Sequence, residues 1–148
     1  MPNLKPVWAD GLYIGTSATS ATPPVWTYAQ LCEGVKGMTF GNNEVTKTEH
    51  YLCGNGGANT EVTGIAPVIT VTCDRVDGNA AQDYIVGLLY TTGASRKSSV
   101  KVVEHGKQTV CDCTITNIVP YGGNSTDLNA FTCEIHLNGI PTVTTVTE

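Results

Sequence analysis

The sequence predicts a mainly β domain, an antiparallel β-sandwich or rolled sheet with one flanking α-helix and a long central loop. Three observations carry that class. Apolar and polar residues alternate with period two in several stretches, most clearly where Ile69, Val71 and Cys73 oppose Thr70, Thr72 and Asp74. A helical period replaces that alternation only between Asp77 and Tyr90. The chain has 148 residues, which fits a single domain over 1–148 and suffices to bury a sizeable core.

The elements follow in order. Residues 1–11, with Pro2 and Pro6, read as an N-terminal arm, and Leu12–Gly15 as a short strand. The Ser/Thr/Ala run 16–24, closed by Pro23-Pro24, reads as a loop or bent edge segment. Val25–Cys32 sets Val25, Thr27, Ala29 and Leu31 against Trp26, Tyr28 and Gln30, a strand partly covered on both faces, and Val35–Phe40 continues after Gly34. Residues 41–66 cluster Gly and Asn and form a long loop, or a long hairpin with its tip at 54–57. Such a loop is usually functional or ordered by a partner. Pro67–Asp74 is a strong strand. In the helix over 77–90, about three turns long, Ala81, Tyr84, Ile85, Leu88 and Leu89 share one face. Asp77 or Asn79 can cap it, and Asn79 with Gln82 resembles a capping box. Ser98–Glu104 and Thr109–Val119 pair as a hairpin through 105–107. After a turn at 120–125 come a long strand, Leu128–Asn138, and a short last one, Val143–Thr147. The total is about seven strands and one helix.

Composition excludes several classes of function. Charged residues make up 14%, against roughly 25% in an ordinary soluble domain. A surface largely covered by other copies of the chain explains that, because interface cores are depleted in charge while free monomers need it. No apolar run approaches the length of a membrane span, so no membrane insertion is expected. The net charge of −5 speaks against a phosphate-gripping basic surface. The opening residues carry no apolar export run, so the six cysteines are read in a reducing compartment. Cys73, Cys111, Cys113 and Cys133 fall at apolar strand positions and read as core thiols. Cys32 and Cys53 follow no alternation and stay open. Cys111-x-Cys113 is not a zinc knuckle, so no metal and no cofactor are expected.

Nor does a catalytic constellation emerge. The sequence lacks GxSxG, Walker, HExxH and GxGxxG patterns. Glu134 and His136 share a strand face, which reads as an ordinary polar face. Asn124-Ser125-Thr126 matches a glycosylation acceptor by chance in a Thr-rich chain. The expectation is a protein that is not an enzyme.

The order of features between Gly41 and Leu89 carries a resemblance. It runs through Thr48-Glu49-His50-Tyr51, Gly54-Asn55-Gly56, Thr60-Glu61-Val62-Thr63-Gly64, Ala66-Pro67, Thr72-Cys73-Asp74-Arg75-Val76-Asp77-Gly78-Asn79 and Asp83-Tyr84-Ile85. With Val110–Leu137, notably Ile118-Val119-Pro120-Tyr121-Gly122-Gly123-Asn124 and Glu134-Ile135-His136, these blocks span the larger part of the chain. They resemble the major tail (tail tube) proteins of long-tailed bacteriophages. One departure is Cys73, where such proteins often carry Gly, and it bears on packing rather than function.

The resemblance implies hexameric rings whose sheets join into an inner barrel and which stack into a hollow tube. That tube holds the tape-measure protein, then passes double-stranded DNA. The chain would reside in the virion tail after synthesis in the bacterial host cytoplasm. Polar strand positions Thr70, Thr72, Asp112, Thr114, Thr116, Thr132 and Glu134 are then candidates to face the lumen. A neutral or weakly acidic wall lets DNA slide where a basic wall would hold it. Alternation defines two faces without saying which faces the lumen. Within 41–66, Asn43, Glu44, Thr48, Glu49, His50, Tyr51, Asn55 and Glu61 are candidates for contacts between subunits or rings. Rival readings are an immunoglobulin-like adhesion or decoration module, and a related terminator or contractile-tube component.

Overall fold

The computed structural model describes residues 4, 6, 10–20, 24–104 and 106–145. Most of the predicted arm, His105 and the end of the predicted last strand lie outside the described residues. The period-two stretches become β1 (Gly11–Ala18), β2 (Trp26–Gln30), β3 (Val35–Gly41), β6 (Val68–Asp74), β7 (Lys97–Glu104), β8 (Lys107–Val119) and β9 (Ala130–Thr145). These form one seven-stranded sheet, ordered β2-β1-β7-β8-β9-β6-β3, with every pairing antiparallel. The long central segment is a separate hairpin of β4 (Val45–His50) and β5 (Ala58–Gly64).

The two edge strands of the large sheet, β2 and β3, are consecutive in sequence and joined only by residues 31–34. A sheet whose far edges are one short turn apart has to curl, so the rolled form of the predicted class describes it. No β2–β3 ladder closes the roll among the described residues. The inner face carries alternate residues of nearly every strand: Leu12 and Ile14, Ile69 and Val71, Val100, Ile115, Phe131 and Ile135. One helix, α1 (Ala80–Gly87), packs across the roll with Ala81 and Ile85 fully buried.

Three expectations need correction. Among the described residues there are nine strands: 41–66 adds two of its own, while 128–138 and the described part of 143–147 merge into the single strand β9. Gly139 and Pro141 lie in the gap between these two predicted strands. Gly139 adopts φ +80°, and a bulge moves the register from Asp112↔Asn138 to Val110↔Thr142, so the strand continues past both residues. β1 likewise extends through a bulge at Gly15/Ser17 into the stretch read as loop. The helix has eight residues rather than three turns. Leu88 N–H and Leu89 N–H bond to Ile85 and Val86 carbonyls three residues back, which tightens and ends it.

Asn79 is the cap, accepting the Gln82 N–H on its side-chain oxygen at 3.0 Å. The box is not reciprocal, because the Gln82 side chain is used elsewhere. Its Oε1 accepts from Val76 N–H at 2.8 Å and Arg75 Nη1 at 3.1 Å. Its Nε2 donates to the carbonyls of Asp74 at 3.1 Å and Glu33 at 3.2 Å. One buried amide thus ties the β2–β3 turn, the end of β6 and the start of α1 together.

All six cysteines are free thiols; Cys73, Cys111, Cys113 and Cys133 are buried, and Cys32 and Cys53 are exposed. Burial, with smaller contributions from neighbouring negative groups, pushes Cys73 to about 11 and Cys113 and Cys133 to about 12, and raises Cys111. Thiolate is the reactive form, so maleimide at pH 8 is expected to label Cys32 and Cys53 in the native protein and all six after denaturation. Labelling of the buried four in the folded state would contradict this packing. Because the folded thiols titrate above unfolded ones, near roughly 8.5, their contribution to stability is complete below that pH. It is lost as pH rises towards about 12. A shallower alkaline decline in a Cys133→Ala variant, followed by circular dichroism, checks the sign.

Candidate assembly surfaces

Alternation puts Thr70, Thr72, Asp112, Thr114, Thr116, Thr132 and Glu134 on the face of the sheet away from the core. The register brings all of them together. Thr70, Glu134 and Thr116 form one row across β6, β9 and β8, Thr72 pairs with Thr132, and Thr114 with His136. Asp112 opposite Asn138 extends the patch. Asn138 Nδ2 donates to Thr114 Oγ1 at 2.8 Å. Asn117, at φ +51°, donates to Glu134, and His136 Nε2 lies 3.9 Å from the same carboxylate. Asp74 pairs with Lys36 at 2.9 Å. The patch is therefore mostly polar: Glu134 and Asp74 have partners, Asp112 stands exposed at its end, and exposed Lys97 lies across from Thr114.

The other half of this outer face has a different character, which the sequence reading missed. Tyr13 pairs with Lys101 across β1–β7, and Lys101 Nζ sits 4.5 Å from the Tyr13 ring centre and 4.7 Å from that of Tyr28. The Tyr28 hydroxyl lies 2.9 Å from Ser99 Oγ. Trp26 covers Gly15, where a Cβ would lie 2.7 Å from the indole Cε3. Part of the signal was present, since Tyr13 lies between the core residues Leu12 and Ile14 and Lys101 follows Val100. Only the β1–β7 pairing, distant in sequence, brings them into one cluster.

The β4–β5 hairpin stands apart. Every residue of both strands is exposed except Gly64, which is half-buried. At its base Asn43 Nδ2 donates to the Ala66 carbonyl at 3.0 Å, and Ala66 N–H donates to the Asn42 carbonyl at 2.9 Å. Asn42 Nδ2 also bonds Glu44 at 3.1 Å. Asn43 and Glu44 thus belong to the anchor of the hairpin rather than to its reach. Along the arms, Lys47 opposes Glu61 and Glu49 opposes Asn59 on one face, with Lys47 and Glu49 3.5 Å apart. Thr46, Thr48, His50, Ala58, Thr60 and Val62 alternate onto the other face, where the Thr48 and Thr60 hydroxyls bond at 2.9 Å. A 3₁₀ turn, Leu52–Gly54, and left-handed Asn55 (φ +51°) and Gly56 (φ +84°) make the tip, bounded by Tyr51. His50 Nδ1 lies 3.3 Å from the Gly56 carbonyl and braces that turn.

A cleft of about 420 Å³ opens beside the base of the hairpin. Met38, Phe40, Ile65, Pro67, Ile69 and Leu137 supply its apolar lining, and Asp10 and Glu104 add carboxylates. Among the described residues, no group of three or more His, Cys, Asp or Glu side chains could hold a metal ion, and no helix is long and apolar enough to cross a membrane.

No protein-family model matches the sequence, and no curated protein sequence matches it. Solved structures do match the fold. The tail of an empty gene transfer agent particle, refined with helical and C6 symmetry, superposes with a TM-score of 0.67 at 13% identity, over 90% of this chain and 95% of that one. The virion of a native gene transfer agent gives 0.62 at 14% identity, again over 90% and 95%. The tube-terminating cap of the anti-feeding prophage gives 0.61 at 13% identity, over 99% of this chain and 94% of that one. The chain has the fold shared by phage-type tail tube and tail cap proteins.

Proposed function

We propose that the chain is a structural subunit of a phage-type tail, forming hexameric rings that stack into a hollow tube. The tube houses the tape-measure protein and then conducts double-stranded DNA, and the mature protein resides in the virion after synthesis in the host cytoplasm. The role is mechanical rather than enzymatic. The observation that carries the proposal is the β4–β5 hairpin, exposed on both faces and projecting from a rolled sheet of this fold. A lone two-stranded ribbon is marginally stable in water, so it is best explained as an element completed by another subunit.

The mostly polar patch around Thr70, Thr116 and Glu134 is the better lumen wall of the two halves of the outer face. Among its described residues the carboxylates of Asp112 and Glu134 outnumber the exposed cation Lys97, opposite Thr114, so it offers no basic cluster that would hold phosphate. The remaining candidates, Thr48, Glu49, His50, Tyr51, Asn55 and Glu61, lie on the arms and tip, where contacts between subunits or rings would be made. A second reading, a ring-forming tube terminator, is favoured by the near-complete coverage of the tube cap. Electron microscopy of the concentrated, reduced protein separates the two. Hollow filaments are expected for a tube subunit and isolated rings for a terminator. A monomer at every concentration would remove both and favour an adhesion or decoration module.

A further inference from the structure

We infer that the hairpin tip of one copy, Tyr51 and Leu52, seats in the apolar cleft of a second copy; this rests on the subunit assembly proposed above. Both surfaces are apolar and uncovered. Leu52 is 98% exposed at the tip, and Phe40 is 61% exposed in the cleft. Exposed apolar groups gathered in this way mark contact sites. The cleft is open and large enough for a leucine with part of an aromatic ring.

The occupant cannot be the tip of the same chain. Asn42 and Ile65, at the foot of the hairpin, help line the cleft, and the ladder runs unbroken from Thr46↔Val62 to His50↔Ala58. At about 3.4 Å per residue, the tip lies roughly 20 Å from its own cleft. Charge does not oppose the tip. Residues 51–57 carry no charge. An uncharged segment enters a cleft that carries Asp10 without charge repulsion. A knob and a hole at different places on one chain make a head-to-tail contact, which closes into rings or propagates as filaments.

The test uses the native thiol beside the knob. In a Cys32→Ser background, Ile65→Cys places a second thiol in the cleft. Mild oxidation of the assembled protein is expected to give disulfide-linked oligomers that disappear when Cys53→Ser is added. Separately, Leu52→Asp, at a fully exposed position, is expected to keep the circular dichroism spectrum. It should raise the concentration needed for assembly roughly tenfold or more, the effect of removing one buried leucine from a contact. Assembly without the cross-link overturns the cleft as the seat. An unchanged assembly concentration in Leu52→Asp overturns the knob. In both cases the subunit reading survives. A wild-type chain that never assembles overturns the subunit reading and this contact with it.

Discussion

Gln82→Ala is expected to destabilise the folded chain by about 3–5 kcal/mol, a large part of the 5–15 kcal/mol typical of a domain. Gln82 is fully buried, and its amide makes four hydrogen bonds that close one end of the roll. Removing it leaves the part-buried Val76 N–H and the Glu33 and Asp74 carbonyls without these partners, and a group so left costs about 1–3 kcal/mol where it is shielded from water. The methylenes lost add a cavity beside Ala81 and Ile85. At roughly 2–4 °C per kcal/mol for a chain of this size, the melting temperature drops by about 10 °C. Gln82→Glu is the informative companion. It keeps the oxygen facing Arg75 and Val76 but turns a donor into an acceptor against two carbonyls, so it too destabilises. A urea midpoint unchanged in both variants would mean that the four bonds do not hold the β2–β3 turn to the helix.

This amide also shows where the sequence stops being legible. The pattern Asn79-x-x-Gln82 placed the helix start correctly, because capping is local. It could not reveal that Gln82 turns away from the cap towards Glu33, because that contact depends on the roll bringing residues 49 apart in sequence together. The same division holds across the fold. Alternation in 67–74 and 109–119 identified strands and sorted their faces, and burial of Cys73, Cys111, Cys113 and Cys133 followed from face alone. Strand order did not follow, since β1 pairs with β7 and β6 with β9. So the threonine patch was foreseen strand by strand, while the Tyr13–Lys101–Tyr28 cluster beside it was not. The predicted gap between 138 and 143, which holds Gly139 and Pro141, has a related reason. Both are breakers by local preference, and only the bulge opposite Val110 lets β9 run past them. Within 41–66 the Gly and Asn signals located the tip, but the polar arms lacked the one-sided hydrophobic pattern that separates strand from loop. Their exposure on both faces explains that.

Replacing residues 48–60 with an Asn-Gly turn is expected to leave the fold intact and abolish stacking. Lys47 and Glu61 are direct cross-strand partners, so a two-residue type I′ turn can join them without disturbing the register below. The bonds that anchor the base, through Asn42, Asn43 and Ala66, all lie outside the replaced segment. No replaced side chain contributes to the core, so stability changes by about 0.5 kcal/mol or less. Glu49 is the only acidic or basic side chain lost besides His50, which leaves general charge repulsion between copies nearly unchanged. Loss of filaments therefore reports the missing contact rather than altered solubility or a damaged fold. Electron microscopy and sedimentation, run beside a urea titration of the same sample, separate these effects. If rings persist while filaments vanish, the hairpin acts between rings. If rings vanish too, it acts between neighbours within a ring. Filaments indistinguishable from wild type would show that the hairpin makes no contact that assembly needs, and the edges of the rolled sheet would have to carry the assembly alone.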